Sequence, residues 1–167
     1  MSTRSFRAGA FAIFDRIQAI IAKLGVFAAP LAARVALALP FLRSGLTRWD
    51  GFASISPGSL FLFEDQFKLH VFGRLYAFYA PDQTAFIVGS AELLLPTLLV
   101  LGLATRFAAF GLLLMTGVIQ LVFPDGWANF HLYWASLALS VMALGAGPLS
   151  LDRVIGALRK KQPGIAW

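Results

Sequence analysis

Residues 84–103, 106–124 and 128–146 are three apolar stretches that follow one another with almost no linker. Each is close to the roughly 20 residues needed to cross about 30 Å of hydrocarbon at a rise of about 1.5 Å per residue. Segments this long and this close together can only pack as tight antiparallel helical hairpins. A fourth stretch of the same kind, residues 26–46, lies upstream, and residues 47–83 form a long excursion between it and the others.

Composition supports a bilayer. The chain is 59% hydrophobic and 13% charged, against roughly 45–50% and about 25% in soluble domains. A water-soluble globule, a collagen, a disordered tail and a disulfide scaffold are all excluded. The expected architecture is all-α integral membrane, one domain over residues 1–167, built as a four-transmembrane-helix bundle. The chain has no cysteine, and so no thiol redox couple and no thiolate metal site of its own. Its net charge of +6 is not gathered into one exposed stripe, which argues against nucleic acid.

The basic residues report topology instead. Arg4, Arg7, Arg16, Lys23, Arg106, Arg153, Arg159, Lys160 and Lys161 fall on one side of the spans, and only Arg48, Lys68 and Arg74 on the other. The positive-inside rule then places both termini and the Arg106 turn in the cytoplasm. Within residues 10–24, Phe11, Phe14, Ile17, Ile21 and Leu24 share one helical face, which predicts an amphipathic helix lying on the cytoplasmic interface. Asp15 and Arg16 interrupt the apolar run that a signal peptide would need.

The outer excursion is rich in rings. Residues 60–80 carry Phe61, Phe63, Phe67, Phe72, Tyr76, Phe78 and Tyr79 among scattered charges. An interfacial or re-entrant helix would bury those rings and leave Glu64, Asp65, Lys68 and Arg74 in water. Two uses are open: a lid over the outer mouth or an anchor at headgroup depth. Phe61, Phe63, Glu64, Asp65 and Phe67 are the candidate surface for docking a partner protein.

Ionisable groups at membrane depth cost at least about 2.5–3.5 kcal/mol each, so each needs a partner or a purpose. Counted from the inner ends of the spans, Arg34 lies roughly 12 Å deep and Glu92 roughly 16 Å deep. That agreement suggests an ion pair. Gln120, His131 and Arg43 lie at roughly 21–25 Å and form a second polar layer. His131 with Gln120 can hold the two oxygens of a quinone-like ring, and Trp134, one turn on, supplies an apolar wall. A lone histidine builds no metal site, and none is expected.

The run ELLLPTLLVLGLATRFAAFGLLLMTGVIQLVF at 92–123 resembles the core of the DoxX family of small four-span membrane proteins. RVALALPFLRSGLTRW at 34–49, LFLFED at 60–65 and GPLSLDR at 147–153 extend the resemblance. The pattern places the family's first-span arginine on Arg34, its second-span glutamate on Glu92, and its inner-turn glycine and arginine on Gly102 and Arg106. Where the family often has lysine after the Ser-Gly pair, this chain has Thr47 and Arg48, which keeps the charge.

The resemblance implies a bacterial inner-membrane protein with a connection to quinone, since the family takes its name from membrane subunits of a thiosulfate:quinone oxidoreductase. Two functions follow as expectations. One is a scaffold or accessory subunit of a membrane complex, with the buried polar groups holding the bundle. The other is a quinone-interacting subunit of an oxidoreductase. No self-contained catalytic motif is present, so enzymatic activity stays open at this point.

Overall fold

The computed structural model describes the backbone of residues 3–160 and the side-chain surroundings of residues 13–159. Its elements are mostly helical. α1 runs Thr3–Leu46, α2 Pro57–Phe61, α3 Pro81–Leu101, α4 Thr105–Val122, α5 Leu132–Leu144 and α6 Leu151–Lys160. Between α2 and α3 come a π turn, Leu62–Gln66, and an antiparallel hairpin of β1 (Lys68–Val71) and β2 (Arg74–Ala77), with Lys68 opposite Ala77. A 3₁₀ turn, Pro124–Gly126, and a second π turn, Trp127–His131, lead from α4 into α5.

Among the described residues, three helices are long and apolar enough to cross a membrane: Ile13–Leu46, Pro81–Leu101 and Thr105–Val122. α5 has 13 residues, about 20 Å, and reaches a spanning length only when the π turn ahead of it is counted. The expected interfacial helix at 10–24 is not a separate element. α1 continues through it unbroken, because nothing between Lys23 and Val26 stops a helix and Gly25 alone is tolerated within one.

Around the bundle α1 packs on α3 and α5, and α4 on α5 and α3, so the four helices close a ring. Leu37, Ala38 and Phe41 of α1 meet Leu99 of α3, Ala108, Ala109 and Leu112 of α4, and Ala138 and Val141 of α5 in its centre. Four of these nine core residues are alanine, which lets the helix axes approach closely, the usual solution where lipid supplies no hydrophobic drive. Large apolar side chains such as Ile87, Leu94, Phe107, Leu114 and Leu139 point outward and are exposed, as a lipid-facing surface requires. Pro96 is buried within α3 and does not divide it.

The excursion does not form the expected helix over 60–80. Its charged and aromatic residues alternate too quickly for one apolar helical face, and Phe72-Gly73 makes a tight turn with both residues at positive φ, 47° and 76°. The hairpin docks on the C-terminal end of α4, where Leu121 O lies 3.1 Å from His70 Nδ1; this end of the bundle is labelled outer and the opposite end inner, after the expected topology.

The inner end is held by a polar clamp. Arg34 is fully buried and donates to the carbonyls of Leu99 and Leu149, at the C-terminal end of α3 and in the loop before α6. Gly102 ends α3 at φ +69°, and a Cβ there would meet Arg34 Nη1 and the Ser150 backbone, so glycine is required on both counts. Ala104 sits in the left-handed region at φ 47°, a strained conformation for alanine. Asp152 holds it there, accepting from the amides of Ala104 at 2.8 Å and Thr105 at 2.9 Å. Burial alone raises the Asp152 carboxyl, but those amides and the charge of Arg34 outweigh it and hold it below the usual carboxylate range.

A carboxylate with a lowered pKa stabilises the fold in full above its unfolded value, and that contribution is lost as pH falls through the folded value. Asp152→Ala is expected to cost on the order of 1.5 kcal/mol at neutral pH. In thermal unfolding of the detergent-solubilised protein, the variant and the parent should differ at pH 7 and converge below the carboxylate range.

Candidate functional site

Glu92 lies in the middle of α3 and is almost fully buried, with a side chain only 3% exposed. Its partner is Arg48, just beyond α1, whose Nε is 2.6 Å from Oε2 and whose Nη2 is 3.1 Å from Oε1. The two parallel bonds match the planar guanidinium to the carboxylate. Ser44 Oγ donates to Oε1 at 3.1 Å. The geometry depends on Gly45, where a Cβ would stand 3.0 Å from the Glu92 backbone and 2.9 Å from Leu93 Cδ2. α1 and α3 touch there, so Ser44 in the last turn of α1 and Arg48 just past its end both reach the carboxylate.

Arg34 does not pair with Glu92. Since Gly45 lies level with Glu92, Arg34, eleven residues earlier, stands about 16 Å away toward the inner end. Equal depth would require all spans to begin at one level, whereas α1 extends far below the others and stops short above. Arg43 is exposed and joins neither group, since it lies on the outward face of α1. By sequence position alone Arg48 reads as one of the charges of the outer excursion. The signal that would have found it was the cation kept after the Ser-Gly pair.

The second polar group sits where α4 meets α5. His131 is 4% exposed and its Nδ1 is 2.6 Å from Gln120 Oε1, while Gln120 Nε2 donates to Pro124 O at 2.9 Å. Trp134 stacks obliquely on the imidazole, ring centres 5.4 Å apart, and on Phe41 at 5.3 Å. His131, Gln120 and Trp134 are thus brought together.

Both groups open into one cavity of about 410 Å³. Ser44, Arg48 and Glu92 form one part of its wall and His131 with Trp134 another; Phe41, Val88, Val118, Ile119 and Val122 line the rest. The excursion roofs it. Phe63 is buried and packs edge-on to Phe67 at 5.1 Å, and Phe67 in turn packs on Phe123 at 5.3 Å. Arg48 Cζ lies 5.3 Å from the Phe63 ring centre and 5.9 Å from that of Phe67, close enough for cation–π attraction. Of the five residues expected to dock a partner, then, Phe63 and Phe67 face inward, and Phe61, Glu64 and Asp65 remain exposed.

Residues 29–125 match the DoxX family. The chain belongs to that family. An uncharacterised protein of Haemophilus influenzae is 30% identical to this DoxX protein over 146 residues, covering 80% of this chain and 85% of its own. No solved structure matches it. The matched region holds the Arg34 of the inner clamp, the whole Ser44–Arg48–Glu92 group, the aromatic roof and Gln120. His131 and Asp152 lie beyond it. Membership makes the protein a membrane protein.

Removing one member of a buried pair leaves a lone charge, at a cost of about 3–5 kcal/mol, while replacing both with apolar residues is far milder. Arg48→Leu and Glu92→Leu are each expected to destabilise by that amount. The double variant should recover most of the loss. A double-mutant cycle on unfolding in mixed micelles measures the coupling.

Proposed function

We propose that this DoxX protein is a four-span subunit of the bacterial inner membrane that holds a flat, apolar ligand of the quinone class in the outer-half cavity and works with a partner protein. In this reading the fourth span is the π turn Trp127–His131 continued by α5, 18 residues together and about 27 Å long. Arg16, Lys23, Arg106, Arg153 and Arg159 mark the cytoplasmic end, and only Lys68 and Arg74 the outer one, Arg48 being taken up by Glu92. Both termini are then cytoplasmic.

One observation carries the ligand reading: a cavity of about 410 Å³ whose apolar, aromatic wall contains two separate hydrogen-bonding stations, Arg48 with Glu92 and Ser44, and His131 with Gln120. Ligand sites are concave and mostly apolar, with a few polar groups that fix orientation. The size suits a single substituted ring, and two stations suit a ring with oxygens at opposite edges. The chain has no cysteine, and among the described residues no three His, Asp or Glu side chains are grouped to hold a metal. In this reading electrons pass between the ligand and a redox centre on the partner.

The accessory role is supported by the outer rim, where Phe52 and Phe72 are fully exposed and Tyr79 nearly so. Such rings suit the headgroup layer or a partner seated on it.

Two measurements test this. Because the chain has no cysteine, single replacements are clean reporters: Phe72→Cys should react with a membrane-impermeant maleimide in intact cells, and Gly156→Cys only after lysis. The reverse pattern would overturn the orientation. In anaerobic nanodiscs, a short-chain benzoquinone and its hydroquinone are titrated against Trp134 fluorescence, with Trp134→Phe as the background, and the tighter-binding of the two is carried into the variants. His131→Ala should weaken binding by at least tenfold with unfolding temperature little changed. Equal binding in folded His131→Ala would remove His131 from the site.

A further inference from the structure

The hydrogen-bond polarity of the two stations specifies which form of ligand fits, given the ligand reading above. Pro124 O can only accept, so the Gln120 atom 2.9 Å from it is the amide nitrogen. That leaves Gln120 Oε1, also only an acceptor, facing His131 Nδ1 at 2.6 Å. Nδ1 must therefore carry the hydrogen. In the neutral ring Nε2 is then a bare lone pair, and it has no hydrogen-bond partner among the described residues.

The imidazole is closely packed. Its Cε1–Nε2 edge lies beside Gly126, where a Cβ would stand 2.5 Å from Cε1 and 2.9 Å from Nε2, so glycine leaves that edge clear; Gly126, His131 and Trp134, which packs obliquely on the ring, all line the cavity. The opposite station has the opposite polarity. Arg48 spends Nε and Nη2 on Glu92 and Ser44, which leaves the two N–H groups of Nη1 without a partner among the described residues.

We infer that the cavity is built for the reduced, hydroxyl-bearing form of its ligand, a hydroquinone whose O–H donates to His131 Nε2 and whose other oxygen accepts from Arg48. A quinone offers only acceptors. Its carbonyl would place lone pair against lone pair at His131. A site built to hydrogen-bond a hydroxyl rejects analogues without it, because its own polar group is left unpaired.

The test uses the full-length protein in nanodiscs under anaerobic conditions. Binding of a short-chain p-benzohydroquinone, its dimethyl ether and the matching quinone is measured by calorimetry. The hydroquinone should bind at least tenfold more tightly than the other two. Gln120→Leu, which frees the imidazole to exchange tautomers, and Gly126→Ala, which displaces the ring, should each reduce that preference to less than threefold.

An independent readout is the ¹⁵N spectrum of labelled histidine in a His70→Gln background, where His131 is the one remaining histidine. It should show the proton on Nδ1. A proton on Nε2, or a quinone that binds as tightly as the hydroquinone, overturns the inference while leaving the cavity a quinone site. If none of the three compounds binds, the ligand reading itself fails.

Discussion

A carboxylate in the middle of a membrane helix has to be neutralised, and the outer half of this protein is arranged around that requirement. Glu92 is met by Arg48 and Ser44 at the end of α1. Contact at Gly45 brings that end level with Glu92, so α1 stops partway up the bundle. Space is left above it, and residues 47–80 fill that space by folding back as a short helix, a π turn and a hairpin. The cavity is what remains beneath this roof. Arg48 joins the two layers: it neutralises Glu92 below and attracts Phe63 and Phe67 above.

The inner half solves a different problem with the same residue type. Arg34 has no carboxylate within ion-pair reach among the described residues. It answers backbone carbonyls at the end of α3 and in the loop before α6, where a helix end would otherwise leave acceptors unmet. Asp152 does the converse at the start of α4, taking two free amides. Cation at the carbonyl end and anion at the amide end is the arrangement the helix dipole favours. The clamp is closed and dry; the outer station is open to a cavity.

Span positions were legible because apolar length is a one-dimensional property: 84–103 and 106–124 fall on Pro81–Leu101 and Thr105–Val122 within a few residues. Glu92, Gln120, His131 and Trp134 stood out because polar and ring groups are rare at that depth. What could not be read was the relative level of the helices, and with it the partner of each charge. Arg34 and Glu92 agreed in depth only on the assumption of a common inner edge. The azimuth of Arg43 was equally hidden. The hairpin escaped notice because Phe-rich sequence suits strand and helix alike, and its turn rests on a positive φ at Phe72, which no propensity announces.

Both edges of the cavity are supplied by π turns, Leu62–Gln66 with Phe63 and Trp127–His131 with His131. A π turn is an α-helical turn carrying one surplus residue, and it commonly marks a functional position. Each surplus residue rotates everything after it by about 100° relative to an uninterrupted helix. The face that α5 presents to the bundle is therefore decoupled from the direction in which His131 points. Lengthening or shortening the chain by one residue at either turn would re-aim the cavity wall without disturbing the helices that hold it, which makes these turns the natural places for relatives sharing the bundle to diverge in what they bind.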